Sequence, residues 1–244
     1  MAKEGQTGSR GLDGLVSAVA QAAHGVAADV SNDLARGLAR DLAVDAALGA
    51  PSAPPKTPLP FPAVPLPAPR GLPPVHLWNP PFCGDLDMRI GADGTWYYLK
   101  TPIGRPALVK LFASVLKREA DCYFLVTPVE KCGIVVDDAP FLAVELRVDD
   151  RGPRQVLNFR SNVDDWIACG VEHALRFEPE NHSGGLKPYL HVRRDLWALV
   201  KRALFYDLVD LGEERDVDGV RMFGVVSSGA FFAMAPADSL AEFL

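Results

Sequence analysis

Arg105 stands immediately before Pro106 in the run Thr101-Pro102-Ile103-Gly104-Arg105-Pro106, and a proline suits the first position of a helix. The free amide groups of a helix start attract anions, and a guanidinium beside them makes a fork for phosphate or carboxylate. Other polar groups sit at the junctions of apolar stretches: Glu130 and Lys131 in Thr127-Pro128-Val129-Glu130-Lys131, Arg160 and Asn162 in Arg160-Ser161-Asn162, and Tyr189, His191 and Arg193 on an alternating stretch. Arg105, Lys131, Arg160 and Arg193 would together neutralise a phosphate, with Trp96 or Tyr189 to stack on a base. Each residue also has an ordinary reading. Glu130-Lys131 is a surface turn pair, Arg160 and Arg193 are salt-bridge partners between packed units, and His191 is a satisfied, half-buried side chain. If two units pack face to face, the whole set lines a cleft between them.

Catalytic signatures point nowhere. The chain has no nucleophile elbow, P-loop, dinucleotide fingerprint or zincin motif, and Ser227-Ser228-Gly229 lacks the glycine two residues before its serine. A nucleotide hydrolase would need a carboxylate such as Glu130 or Asp138 beside the phosphate. Val-Asp-Asp occurs at 136–138, 148–150 and 163–165, and reads as strand ends followed by solvated turn acids rather than as a divalent-metal cluster. Cys83, Cys122, Cys132 and Cys169 are isolated, with no C-x-x-C pair. Cys122 and Cys132 would face each other across a hairpin, and buried thiols are the expected state. No motif identifies a cofactor or a metal. The expectation is a ligand-sensing module rather than an enzyme.

The residues must be positioned by elements that the patterning outlines. Asp87 to Ile90 alternates, Asp93-Gly94 is a hairpin turn, and Trp96 to Lys100 is the return strand. Leu108, Leu111, Phe112, Val115 and Leu116 fall on one helical face, and Tyr123 to Thr127 is a strand. Strands follow at 133–136, 141–148 and 155–160, and 161–171 is a crossing segment with a helical turn around Trp166. The pattern then returns: a strand at 174–177, a turn over 181–185, a strand at 189–192, and a helix capped by Asp195 that carries Leu196, Leu199, Val200, Ala203 and Leu204. Strands at 220–226 and 231–235 close the chain. The fold class is therefore α+β, with two tandem, similar hairpin-helix-strand units over 82–162 and 163–244.

The first 80 residues are of another kind. Leu12, Leu15, Val19, Val26, Val30, Leu34, Leu38 and Leu42 form an apolar stripe over 12–48, an amphipathic helical segment within residues 1–50. It can dock on the chain's own body, self-associate or hold a protein partner. Residues 51–81 are a proline-rich linker of polyproline II character. Residues 1–80 carry six basic and six acidic side chains, so the net charge of −6 falls on the remainder and offers no basic surface for nucleic acid. The N-terminus lacks a secretory pattern and no uncharged apolar run reaches membrane length, which predicts a cytoplasmic chain without membrane attachment.

Residues 83–235 resemble a bacterial family known as domain-of-unknown-function family 1285. The matching stretches are Cys83 to Ile90, Asp93 to Trp96, Thr101 to Arg105, Thr127 to Lys131, Asp138 to Phe141, 155–162 and 188–193. The resemblance implies two tandem, structurally similar α+β units, the second loosely pleckstrin-homology-like, with a ligand site at their interface. It further implies a nucleotide-like ligand and a role in signal transduction, with no reaction attached. An interaction scaffold without a small ligand is the alternative from another class.

Overall fold

The computed structural model describes residues 72–152, 154–180 and 185–242. The amphipathic stripe over 12–48 and the linker up to residue 71 lie outside the described residues. The described chain divides into a small body, residues 72–82 with Val126–Lys131, and a large one, Cys83–Leu125 with Cys132–Leu244. In the small body Val75 and Thr127 are buried. The Thr127 hydroxyl accepts the amides of Val129 (3.3 Å) and Glu130 (3.1 Å), and the Lys131 amide donates to the Pro81 carbonyl at 3.3 Å.

The first sheet contains β1 (Phe82–Ile90), β2 (Trp96–Tyr98), β3 (Thr101–Pro102), β4 (Leu116–Glu119), β5 (Cys122–Val126) and β6 (Lys131–Val136), in the order β3-β2-β1-β6-β5-β4. The second contains β7 (Phe141–Asp149), β8 (Val156–Ser161), β9 (Trp166–Ala168), β10 (Leu175–Pro179), β11 (Leu186–Arg193) and β12 (Leu196–Val200), in the order β10-β11-β12-β7-β8-β9. Read from its other end, the second sheet has the strand order of the first: third, second, first, sixth, fifth, fourth. This is the tandem α+β architecture, and it shifts one boundary. The sheets change over between β6 and β7, so Phe141–Ser161, grouped above with the first unit, builds the second sheet. A third sheet, β13 (Glu213–Val217), β14 (Val220–Ser227) and β15 (Ala230–Pro236), follows.

The two α-helices among the described residues are not in equivalent places. Helix α1 (Pro106–Ser114) has Pro106 in its first turn, as expected, and buries Leu108, Phe112 and Ala113. The apolar spacing continues to Leu116, yet Leu116 starts β4, paired with Leu125. Helix α2 (Arg202–Asp210) follows the second sheet and has Lys201 as its N-cap residue. The helix expected from Leu196 is strand β12, and Asp195 lies in a turn instead of capping a helix. Over five residues the same side chains satisfy both periods: Leu196, Ala198 and Val200 are buried, while Trp197 and Leu199 are less so. Hydrogen bonding to β11 on one side and, in parallel, to β7 on the other decides for the strand. The helical turn expected around Trp166 is likewise strand β9, paired with β8.

The third sheet is tied to the second through buried polar side chains. Ser227 is fully buried; its hydroxyl accepts the Leu157 amide at 2.9 Å and donates to the Cys169 carbonyl at 2.8 Å, while Gln155 Nε2 donates to the Val226 carbonyl at 2.8 Å. Replacing Ser227 by alanine orphans the buried Leu157 amide, whereas the Cys169 carbonyl keeps the Ser228 hydroxyl at 2.7 Å. The expected cost is about 1–3 kcal/mol in equilibrium urea unfolding, and an unchanged midpoint would show that the tie is not needed.

All four cysteines are free; Cys132 and Cys169 are buried, whereas Cys83 and Cys122 are exposed, so the expectation of a buried Cys122 fails. Burial pushes the Cys169 thiol up to about 12, which keeps it protonated and poorly nucleophilic. Among the described residues no helix is long and apolar enough to cross a membrane.

Candidate functional site

Within the large body a cleft of about 310 Å³ opens between α1 and the second sheet. Its walls are the β1–β2 turn (Asp93, Gly94, Thr95), Trp96 on β2, the approach and first turns of α1 (Ile103, Gly104, Pro106, Val109, Lys110), Leu142 and Val144 on β7, Asn162 and Asp164 after β8, and Lys201 at the start of α2. The first turns of α1 and the N-cap residue of α2 thus border one cavity, and a helix start carries unpaired amide donors and partial positive charge.

The turn is built by short-range bonds. The Gly94 amide donates to the Gly91 carbonyl at 2.8 Å, and Gly94 has φ of +78°, a conformation that excludes most side chains. Asp93 accepts the Thr95 amide (3.0 Å) and hydroxyl (2.9 Å), and these two bonds, in that order, hold its carboxyl below the usual carboxylate range. Trp96 is 1% exposed and stacks on Phe112 with ring centroids 6.2 Å apart. Its indole N–H finds no hydrogen-bond acceptor among the described residues. Asn162 clamps the opposite wall: its Oδ1 accepts the Leu142 amide at 3.1 Å, and its Nδ2 reaches the Gly94 carbonyl at 3.5 Å.

Four of the charges form one chain. Lys110 Nζ lies 2.6 Å from Asp164, Asp164 is 2.8 Å from Arg160, and Arg160 is 2.7 Å from Glu145. The bonds from Lys110 and then Arg160 hold Asp164 low, and the bonds to Glu145 and then Asp164 hold Arg160 high. This network joins α1 of the first unit to β7 and β8 of the second.

Of the residues singled out from sequence, Trp96 and Asn162 line the cleft, and Arg160 stands behind it, bound to Asp164. Arg105 directly precedes α1, between two lining residues, and has its own interactions. Arg193 is committed elsewhere: its Nη2 donates to the Ala113 carbonyl at 2.6 Å, and its guanidinium lies 5.1 Å from the Phe141 ring centroid. Burial lowers its pKa, and its role is to fasten the end of α1 to β11. Tyr189 donates its hydroxyl to Asp138 at 2.7 Å, beside Lys187 at 2.8 Å from the same carboxylate; burial first, then the bond to Asp138, pushes that phenol up. That arrangement occupies Asp138, one of the carboxylates considered for hydrolysis. His191 sets one ring nitrogen 2.7 Å from the Glu172 carbonyl and the other against the Arg194 carbonyl, as a satisfied side chain would. Glu130 and Lys131 belong to the small body.

Sequence reasoning missed Asp93, Lys110, Asp164 and Lys201 as site residues. Lys201 was hidden by the misassigned helix, because a strand ending at Val200 is what places it at a helix start.

The fold and cleft define a class: an α+β protein of two similar six-stranded sheets that meet around a small polar cavity, with no metal-ligating cluster among the described residues. The sequence matches "Domain of unknown function (DUF1285), N-terminal domain" over residues 73–139 and "Protein of unknown function (DUF1285), C-terminal domain" over 140–234, and the chain belongs to the DUF1285 family. A DUF1285 family protein from Silicibacter pomeroyi DSS-3, known from its crystal structure, is 52% identical, with a TM-score of 0.66 over 70% of this chain and 92% of that one. A second family member, from Shewanella baltica OS155, is 32% identical, with a TM-score of 0.40 over 50% of this chain and 89% of that one. No protein of curated function matches the chain.

Proposed function

We propose that the chain is a ligand-sensing module whose cleft holds a small anion at the convergent starts of α1 and α2. One observation carries this reading: Lys201, the N-cap residue of α2, borders the cavity and makes no ion pair among the described residues, so its charge is available where two helix starts already favour an anion. The cleft's size is at the lower end of ligand pockets in general. A stacked base is a poor fit, because Trp96 and Tyr189 are both nearly fully buried and present no open ring face. The ligand is therefore read as a compact carboxylate or phosphate rather than a nucleotide recognised through its base. A signalling role and a pleckstrin-homology-like second unit fit a module of this kind and belong to the same proposal.

The test is thermal unfolding of the full chain against inorganic phosphate, sugar phosphates and small carboxylates. A ligand at a hundred times its dissociation constant stabilises the fold by about 2.7 kcal/mol, a shift of several degrees. Lys201→Gln should abolish that shift while leaving the unliganded midpoint unchanged, since Lys201 is exposed. A shift that survives Lys201→Gln would place binding elsewhere, and no shift with any anion would remove the reading.

A further inference from the structure

Two charges of opposite sign border the cleft without an ion pair among the described residues. Lys201 is one; Asp93 is the other, its oxygens accepting the Thr95 amide and hydroxyl, while the nearby Arg89, whose charge also favours the carboxylate, is hydrogen-bonded to Asp137 at 2.7 Å. Asp93 and Lys201 do not pair with each other, although both line the same cavity. The remaining two lining charges, Lys110 and Asp164, lie 2.6 Å apart and neutralise one another. The cavity therefore presents a carboxylate at the β1–β2 turn and an ammonium at the start of α2, and neither forms an ion pair among the described residues.

A simple anion at Lys201 leaves Asp93 facing a ligand of its own sign. A ligand cation on Asp93 turns that repulsion into a charge-assisted hydrogen bond. The Trp96 indole N–H, buried and without an acceptor among the described residues, stands beside the same cavity. We propose that the ligand is a compact zwitterion, with an ammonium group held by Asp93 and a carboxylate or phosphate held by Lys201 and the helix starts. The class comprises ω-amino acids and amino-alkyl phosphates. This rests on the anion reading above and adds the requirement for a second, positive group.

The experiment is calorimetric titration of the full chain with matched pairs that differ only in the ammonium: γ-aminobutyrate against butyrate, and phosphoethanolamine against ethyl phosphate. The zwitterion of each pair should bind at least about tenfold more tightly, the scale of one charge-assisted bond. Asp93→Asn keeps Oδ1 to accept the Thr95 amide, so the turn is retained; it should erase the difference between partners without weakening the simple anions. Lys201→Gln should weaken both members of each pair. Equal binding within the pairs, or a preference that survives Asp93→Asn, would overturn the zwitterion and leave the anion reading standing. Binding by neither series would remove both.

Discussion

Replacing Phe112 by alanine should destabilise the chain by about 3–5 kcal/mol, the range for emptying a fully enclosed aromatic position. Phe112 is 0% exposed, projects from the buried face of α1, and stacks on Trp96. Its loss removes apolar burial and leaves a void that the neighbouring Trp96 and Leu108 can fill only by leaving their own positions. Because Trp96 is a wall of the cleft, ligand-induced stabilisation should fall together with the unliganded stability. Urea unfolding followed by tryptophan fluorescence reads both quantities. A loss below about 1 kcal/mol would show that α1 is not packed on the first sheet as described.

Gly94→Ala is the second large effect, expected at roughly 2–5 kcal/mol from two independent causes. The positive φ of +78° costs an L-residue about 1–2 kcal/mol. A Cβ there would also lie 2.8 Å from Leu142 Cδ1 and 2.9 Å from Asn162 Nδ2, and overpacking of this kind costs about 1–3 kcal/mol. The displaced group is also a wall of the cleft, since Asn162 lines the cavity and its Nδ2 reaches the Gly94 carbonyl. Gly104 provides the control: it borders the same cavity, but an added Cβ would meet nothing within 4 Å, and Gly104→Ala should change stability by no more than about 0.5 kcal/mol. Thermal unfolding of the two variants side by side separates a strained turn from a general intolerance of the cleft to substitution. Equal midpoints would refute the assigned turn.

The arginines illustrate how a residue's chemistry differs from its availability. Arg105, Arg160 and Arg193 stand out in the sequence because guanidinium groups suit phosphate. Arg160 is held by Glu145 and Asp164, and Arg193 by a backbone carbonyl and an aromatic face. Their contribution is to fasten the two units together, which is the ordinary reading that the sequence had left open beside the functional one. Lys201, at the start of α2 and with no ion pair among the described residues, is the cation proposed for that role instead.

Sequence alone determined the elements whose signals are local. The Asp93-Gly94 turn between alternating strands, Pro106 at the head of α1, most of the strands and the tandem α+β character follow from turn chemistry and side-chain period, which act over a few residues. The family resemblance was carried by the same short stretches. Tertiary structure alone decided β12 and β9, because five or three apolar residues fit a strand and a helix equally until neighbouring strands supply their hydrogen bonds. It also decided where the two sheets divide, since residues 141–161 pattern as strands in either sheet and only pairing with β12 and β9 assigns them. The cleft belongs to the same category. Asp93, Lys110, Asp164 and Lys201 lie far apart in the chain, and no local period records that their side chains meet around one cavity.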